Sequence, residues 1–148
     1  MCLRIENDAE ICRAETDIEC WKVLRFRPSG SMLTSPYYDE FVYKVGQMSE
    51  SGVTISKEKR SVVIWGLDNL KTIEEFVVNK GLHSFANMEE ACEWCAWKNK
   101  NDSRNFVLVR CHIPMGTLYV SGFDEVGRAS YVSERLFVDE LIFLNKPL

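Results

Sequence analysis

The stretch Phe106-Val107-Leu108-Val109-Arg110-Cys111-His112-Ile113 constrains the fold most. Its β-branched, aromatic and aliphatic side chains suit a pleated strand. It carries one strong charge, Arg110, whose burial would require a partner. The rest of the C-terminal third is β as well. Pro114-Met115-Gly116 reads as a turn, and Thr117-Leu118-Tyr119-Val120 as the returning arm of a hairpin. Residues 122–127 read as a polar turn, and 129–133 and 136–144 as two further strands.

The N-terminal half is more broken. Residues 1–16 lack periodicity and read as a loosely ordered arm ahead of a single domain over 17–148. Ile18-Glu19-Cys20-Trp21-Lys22-Val23-Leu24-Arg25-Phe26 reads as a strand, ended by a turn at Pro28-Ser29-Gly30-Ser31. Ser35 is held extended by Pro36. Residues 41–45 alternate as a second strand, stopped by Gly46. Residues 53–55 and 61–65 read as two strands joined by the charged turn Lys57-Glu58-Lys59-Arg60. Residues 70–78 fit a short helix, with Thr72 and Glu75 at capping-box spacing, or a strand, given the β-branched Val77-Val78 pair.

One amphipathic helix stands out over about 88–98. Asn87 is a good N-cap, and Glu89 and Glu90 complement the positive dipole end. Met88, Ala91, Cys92, Cys95 and Ala96 define one apolar face. Trp94 and Trp97 fall on the other side, which points to a second layer or to contact between subunits. The class is α+β: a mostly antiparallel sheet, one clear helix and room for a second short one.

At 148 residues the chain has one domain's length, with 46% hydrophobic and 27% charged residues. A net charge of −4 argues against duplex nucleic acid as a partner. The acidic start Met1-Cys2-Leu3-Arg4-Ile5-Glu6-Asn7-Asp8 does not resemble a secretory signal, and no apolar run spans a bilayer, so a cytoplasmic protein without a membrane partner is expected. The six cysteines then read as reduced thiols. Cys92-x-x-Cys95 lies mid-helix on the apolar face, which favours packing over a zinc or redox site. No metal and no cofactor is expected.

Gly81-Leu82-His83-Ser84-Phe85 runs straight into the Asn87 helix. A turn signal, an imidazole, a hydroxyl and a helix N-terminus fall together there, which suits an anion. His83 and Ser84 with Arg110 are assigned to phosphate or ribose, together with amides at the helix start. Tyr37 and Tyr38 supply aromatic faces for a base, and Phe85 is a further candidate ligand-binding residue. No phosphate-loop or dinucleotide fingerprint occurs.

The order of these motifs resembles a loose group of small, mostly uncharacterised phage and prophage proteins. The matching pieces are Met1-Cys2-Leu3-Arg4-Ile5, Trp21-Lys22-Val23-Leu24 leading to Ser35-Pro36-Tyr37, and Gly81-Leu82-His83-Ser84-Phe85. Two more are Ile113-Pro114-Met115-Gly116-Thr117-Leu118-Tyr119 and Ala129-Ser130-Tyr131-Val132-Ser133-Glu134-Arg135-Leu136. Met115 stands where similar proteins often carry lysine, and residues 50–80 look like an expansion. The resemblance implies a phage context, in which small proteins bind host components, and one class sequesters nucleotide immune signals as symmetric oligomers.

The leading expectation is therefore a non-enzymatic binding protein for a small nucleotide or similar anion, a homo-oligomer through Trp94 and Trp97. One alternative is an ADP-ribosyltransferase-like enzyme acting on NAD, using His83, Tyr119 or Tyr131, and Glu134 or Glu140. Another is a protein–protein inhibitor that uses the Trp94/Trp97 face.

Overall fold

A computed structural model describes residues 3–5, 10–27, 32–36, 41–66 and 69–144. Its strands are β1 (Leu3–Ile5), β2 (Cys12–Arg13), β3 (Ile18–Arg27), β4 (Met32–Thr34), β5 (Val42–Tyr43), β6 (Met48–Glu50), β7 (Glu58–Trp65), β8 (Leu70–Val78) and β9 (Leu82–Phe85). Helix α1 (Met88–Asn101) follows, then β10 (Asn105–Ile113), β11 (Leu118–Phe123), β12 (Ala129–Ser133) and β13 (Arg135–Leu144). The class is α+β, with one helix among the described residues.

All pairings among the described strands are antiparallel, in the order β6-β13-β10-β3-β9-β12-β11-β1-β8-β7. The apolar β10 lies between β3 and β13, which explains its density of buried side chains. The expected hairpin between β10 and 117–120 does not form. After the Pro114–Gly116 turn the chain leaves β10, and β11 pairs with β12, β1 and β2.

The described residues of the N-terminal stretch do not form a separate arm. Leu3 and Ile5 are buried, β1 sits between β11 and β8, and Ala14 joins the main core. Gly122 makes this insertion possible, since a Cβ there would collide with the Arg4 carbonyl and lie 2.8 Å from Leu3 Cγ. Residues 53–55 are not a strand, and of the charges expected as a turn Glu58, Lys59 and Arg60 belong to β7, which pairs with β8 instead. Residues 70–78 are strand throughout, so β-branching and ladder pairing prevail over the local capping signal. Of residues 41–45, only Val42–Tyr43 form a strand, and β6 was not anticipated. The turn expected at Pro28-Ser29-Gly30-Ser31 lies outside the described residues.

α1 begins where expected. Asn87 Oδ1 accepts the Glu90 N–H, and the helix runs one turn past Lys98. Its buried face is Ala91, Trp94 and Cys95, so the expected apolar face is rotated. Met88 and Ala96 are exposed, whereas Trp94 packs on Phe85 with ring centroids 5.9 Å apart. The Lys98 ammonium lies 5.5 Å from the Trp94 ring centroid and 5.3 Å from that of Phe106, closing the face with a cation over two rings. Trp97 is 58% exposed. The pairing of Trp94 with Trp97 as one surface is therefore corrected, because Trp94 is a core residue.

That core has two main layers. On one sheet face, Trp21, Val23, Phe85, Phe106 and Leu108 pack beneath α1. On the other, Cys20, Leu24, Val107, Val109, Cys111 and Ile113 pack with Leu33, Tyr43 and Leu82. Truncating Trp94→Ala removes the piece that binds α1 to the sheet and should cost about 3–5 kcal/mol in urea denaturation. Trp97→Ala should stay within about 0.5 kcal/mol.

Candidate functional site

β3 offers one edge to β10 along nearly its whole length. Its other edge is shared. β9 meets it only through Trp21↔Phe85, and β4 meets it at Arg25, Phe26 and Arg27. Residues 22–24 lie between these contacts, with no ladder partner on that side among the described residues. The sheet splits there, and the split holds a cavity of about 410 Å³.

Lys22 and Val23 line it from β3, and Leu82, His83, Ser84 and Phe85 from β9. Ser35 and Pro36 enter after β4, Phe41 and Tyr43 around β5, Trp94 from α1 and Ser130 from β12. Gly81 opens β9 at φ +129°, in the region that favours glycine. A Cβ there would also lie 2.5 Å from Val132 Cγ1 and 2.8 Å from Ile55 Cγ2. The glycine thus lets β9 reach the split between these two side chains.

Lys22 dominates the electrostatics. Strand alternation places it on the face of Cys20 and Leu24, opposite Val109, inside an apolar layer. It is 8% exposed. Its ammonium donates to the His83 main-chain carbonyl and lies 5.3 Å from the Tyr43 ring centroid. Among the described residues no carboxylate pairs with it, and the cavity lining contains no aspartate or glutamate. Burial lowers its pKa from 10.5 to about 8. The same burial pushes the Cys20 thiol up to about 12 and raises Cys111 and Tyr43 as well. Among the described residues this is a low-dielectric wall whose buried cation has no carboxylate beside it.

His83 lines the cavity as anticipated, but in another role. It belongs to strand β9, not to a turn. Burial first, then the Lys22 charge, lowers its pKa to about 3, against the pull of the Gly81 and Val78 carbonyls. The ring is neutral at physiological pH, and its Nε2 is buried without a partner among the described residues. It is a hydrogen-bonding group, not a cation. The Ser84 hydroxyl lies beside the Cys20 thiol. The Ser130 hydroxyl donates to the Arg128 carbonyl.

Two further expectations change. Arg110 does not reach the cavity; it is half exposed and pairs with Glu140 at 3.4 Å. The α1 N-terminus is not part of the described lining either, and the Asn87 side chain caps one of its amides. Tyr37 and Tyr38 lie outside the described residues. The aromatic lining that is described comes from Phe41 with Tyr43, centroids 4.9 Å apart, and from Phe85 with Trp94.

The transferase constellation is not assembled around His83. Tyr119 and Tyr131 pack on each other at 6.0 Å in the core, and neither they nor Glu134 or Glu140 line the cavity. Cys95 is buried under α1 and Cys92 packs at the edge of the same cluster. No family model, curated protein or solved structure matches the chain.

Sequence reasoning missed Lys22, Phe41, Tyr43 and Trp94. The signal for Lys22 was present, because it alternates with Cys20 and Leu24 on one strand face.

The neutral His83 ring has a measurable consequence. Between pH 6.5 and about 3 the unfolded chain holds a proton at this position that the folded chain lacks, so stability falls as pH drops through that window. His83→Gln should remove up to about 1.4 kcal/mol per pH unit of that slope, read from urea midpoints at a series of pH values.

Proposed function

We propose that the chain is a non-enzymatic binding protein for a small anion bearing a flat ring, of the nucleotide class. The observation that carries this reading is the Lys22 ammonium, buried at the cavity wall with no carboxylate partner among the described residues. An unpaired buried cation is costly. An anionic ligand group would compensate it and gain strength from the low dielectric around it.

The volume falls within the roughly 300–1,000 Å³ of small-ligand sites. The lining also matches the class. Phe41, Tyr43, Phe85 and Trp94 offer ring faces for a base. Serine hydroxyls and the neutral His83 offer hydrogen bonds suited to a ribose. Lys80, exposed at the cavity, adds a second positive charge. Binding without turnover is what sequestration of a signal requires, and the likeness to phage proteins makes a nucleotide immune signal the natural candidate. No helix among the described residues is long and apolar enough to cross a membrane.

The test combines mass spectrometry of small molecules released by heat with calorimetry against cyclic and linear nucleotides. A nucleotide-class ligand should appear in one or both. Lys22→Met keeps the length of the side chain and removes the charge. It should weaken binding by roughly 10- to 100-fold, the worth of a charge-assisted hydrogen bond. It should also raise the stability of the ligand-free protein by about 1–3 kcal/mol, because an unpaired buried charge is gone. No released ligand and no binding across the panel would end this reading.

A further inference from the structure

The hairpin of β7 and β8 projects beyond the rest of the sheet. β1 covers only Phe76, Val77 and Val78 of β8, so among the described residues 70–75 pair with β7 alone. This outer ribbon exposes apolar side chains on both faces. Val63, Trp65 and Leu70 share one face, and Ile64 and Ile73 the other. Trp65 is 81% exposed. A two-stranded ribbon is marginal in water without cover, and a contiguous apolar surface of this kind marks a contact site.

The two edges of the ribbon differ. The β8 edge carries Lys71, Glu74 and Glu75, charges that discourage strand addition. On β7, the charges stop at Arg60. Lys59 pairs with Glu74 at 3.9 Å, and Arg60 donates to Glu75 through Nε at 2.9 Å. Beyond them Ser61-Val62-Val63-Ile64-Trp65 has no charge, no proline and strong β-propensity. β7 ends the strand order, so among the described residues this is an open edge.

We infer that β7 pairs with β7 of a second copy, antiparallel about a two-fold axis at Val63, joining the two sheets into one. The run fits itself. That register sets Val63 against Val63, Val62 against Ile64 and Ser61 against Trp65, while Arg60 faces Gly66, so within 60–66 no like charges oppose. A two-fold axis perpendicular to the sheet keeps both faces in register, so Trp65 and Val63 of both copies share one surface. The contact is isologous and closed, which protects the edge without open-ended growth. A second copy is favoured over a foreign strand because this edge supplies its own complement. It also moves the expected self-association from Trp94 and Trp97 to Trp65.

Sedimentation equilibrium on the full chain tests this, beside Val63→Lys, which places two like charges face to face on the axis. The wild type should be a dimer and Val63→Lys a monomer with an unchanged circular-dichroism spectrum. Mild oxidation in a Cys12→Ser background supplies the register. Val63→Cys should form a dimer linked between the two copies of position 63, identified by peptide mass spectrometry. Leu70→Cys, on the far strand, should not. A monomeric wild type, a dimer that survives Val63→Lys, or linkage at position 70 in place of 63 would each overturn the inference.

Discussion

One ladder pair, Trp21↔Phe85, joins the two halves of the sheet across β3 and β9. A single pair contributes little by itself. The junction holds because both faces are packed across it. Under α1, Val23 of β3 meets Phe85 of β9 and Trp94 of the helix. On the other face Leu24 of β3 and Leu82 of β9 belong to the same cluster. Side-chain burial thus does the work that backbone pairing leaves undone, and the strands are free to separate beyond Trp21. The cavity is the consequence. Its elements are fixed by cores on two sides, which suits a preformed site.

The same geometry explains why a lysine can occupy the wall. In an unbroken ladder, residues 22–24 would be matched along their outer edge by β9. With that pairing absent, the Lys22 ammonium reaches the His83 carbonyl, a group the ladder would otherwise have engaged. Among the described residues the ammonium meets one acceptor and one aromatic face, fewer than its three donors can engage. Buried neutral thiols and a neutral imidazole nearby do not compensate the charge. Stability is given up at this position, and a ligand carrying the missing negative charge would restore it.

Strong local signals were legible in the sequence where tertiary pairing agreed with them. β3, β10, β12 and β13 were readable from β-branched and aromatic density, and the Asn87 cap from residue type alone. Pairing partners were not. β11 was expected to fold back on β10 because a turn precedes it, yet partners far along the chain take both edges of β10. The three-residue β1 carries no periodicity, and its place in the sheet depends on the missing side chain of Gly122. Part of the cavity lining was legible, since His83, Ser84 and Phe85 belong to it. Arg110 drew attention as the charge inside an apolar strand, but its strand face carries it to Glu140. Lys22 satisfied the same criterion more fully, in a strand where alternation was already visible. The helix N-terminus was close in sequence and is not part of the lining, because β9 continues through Phe85 before the chain turns.

The most direct test is a proton titration of Lys22 itself, followed through its ε-methylene by NMR with Lys22→Met for assignment. In the ligand-free protein the amine should titrate near 8, and binding of an anionic nucleotide should move it upward. A midpoint near the ordinary lysine value of about 10.4 that no anion shifts would show a solvated, uninvolved side chain and contradict the account.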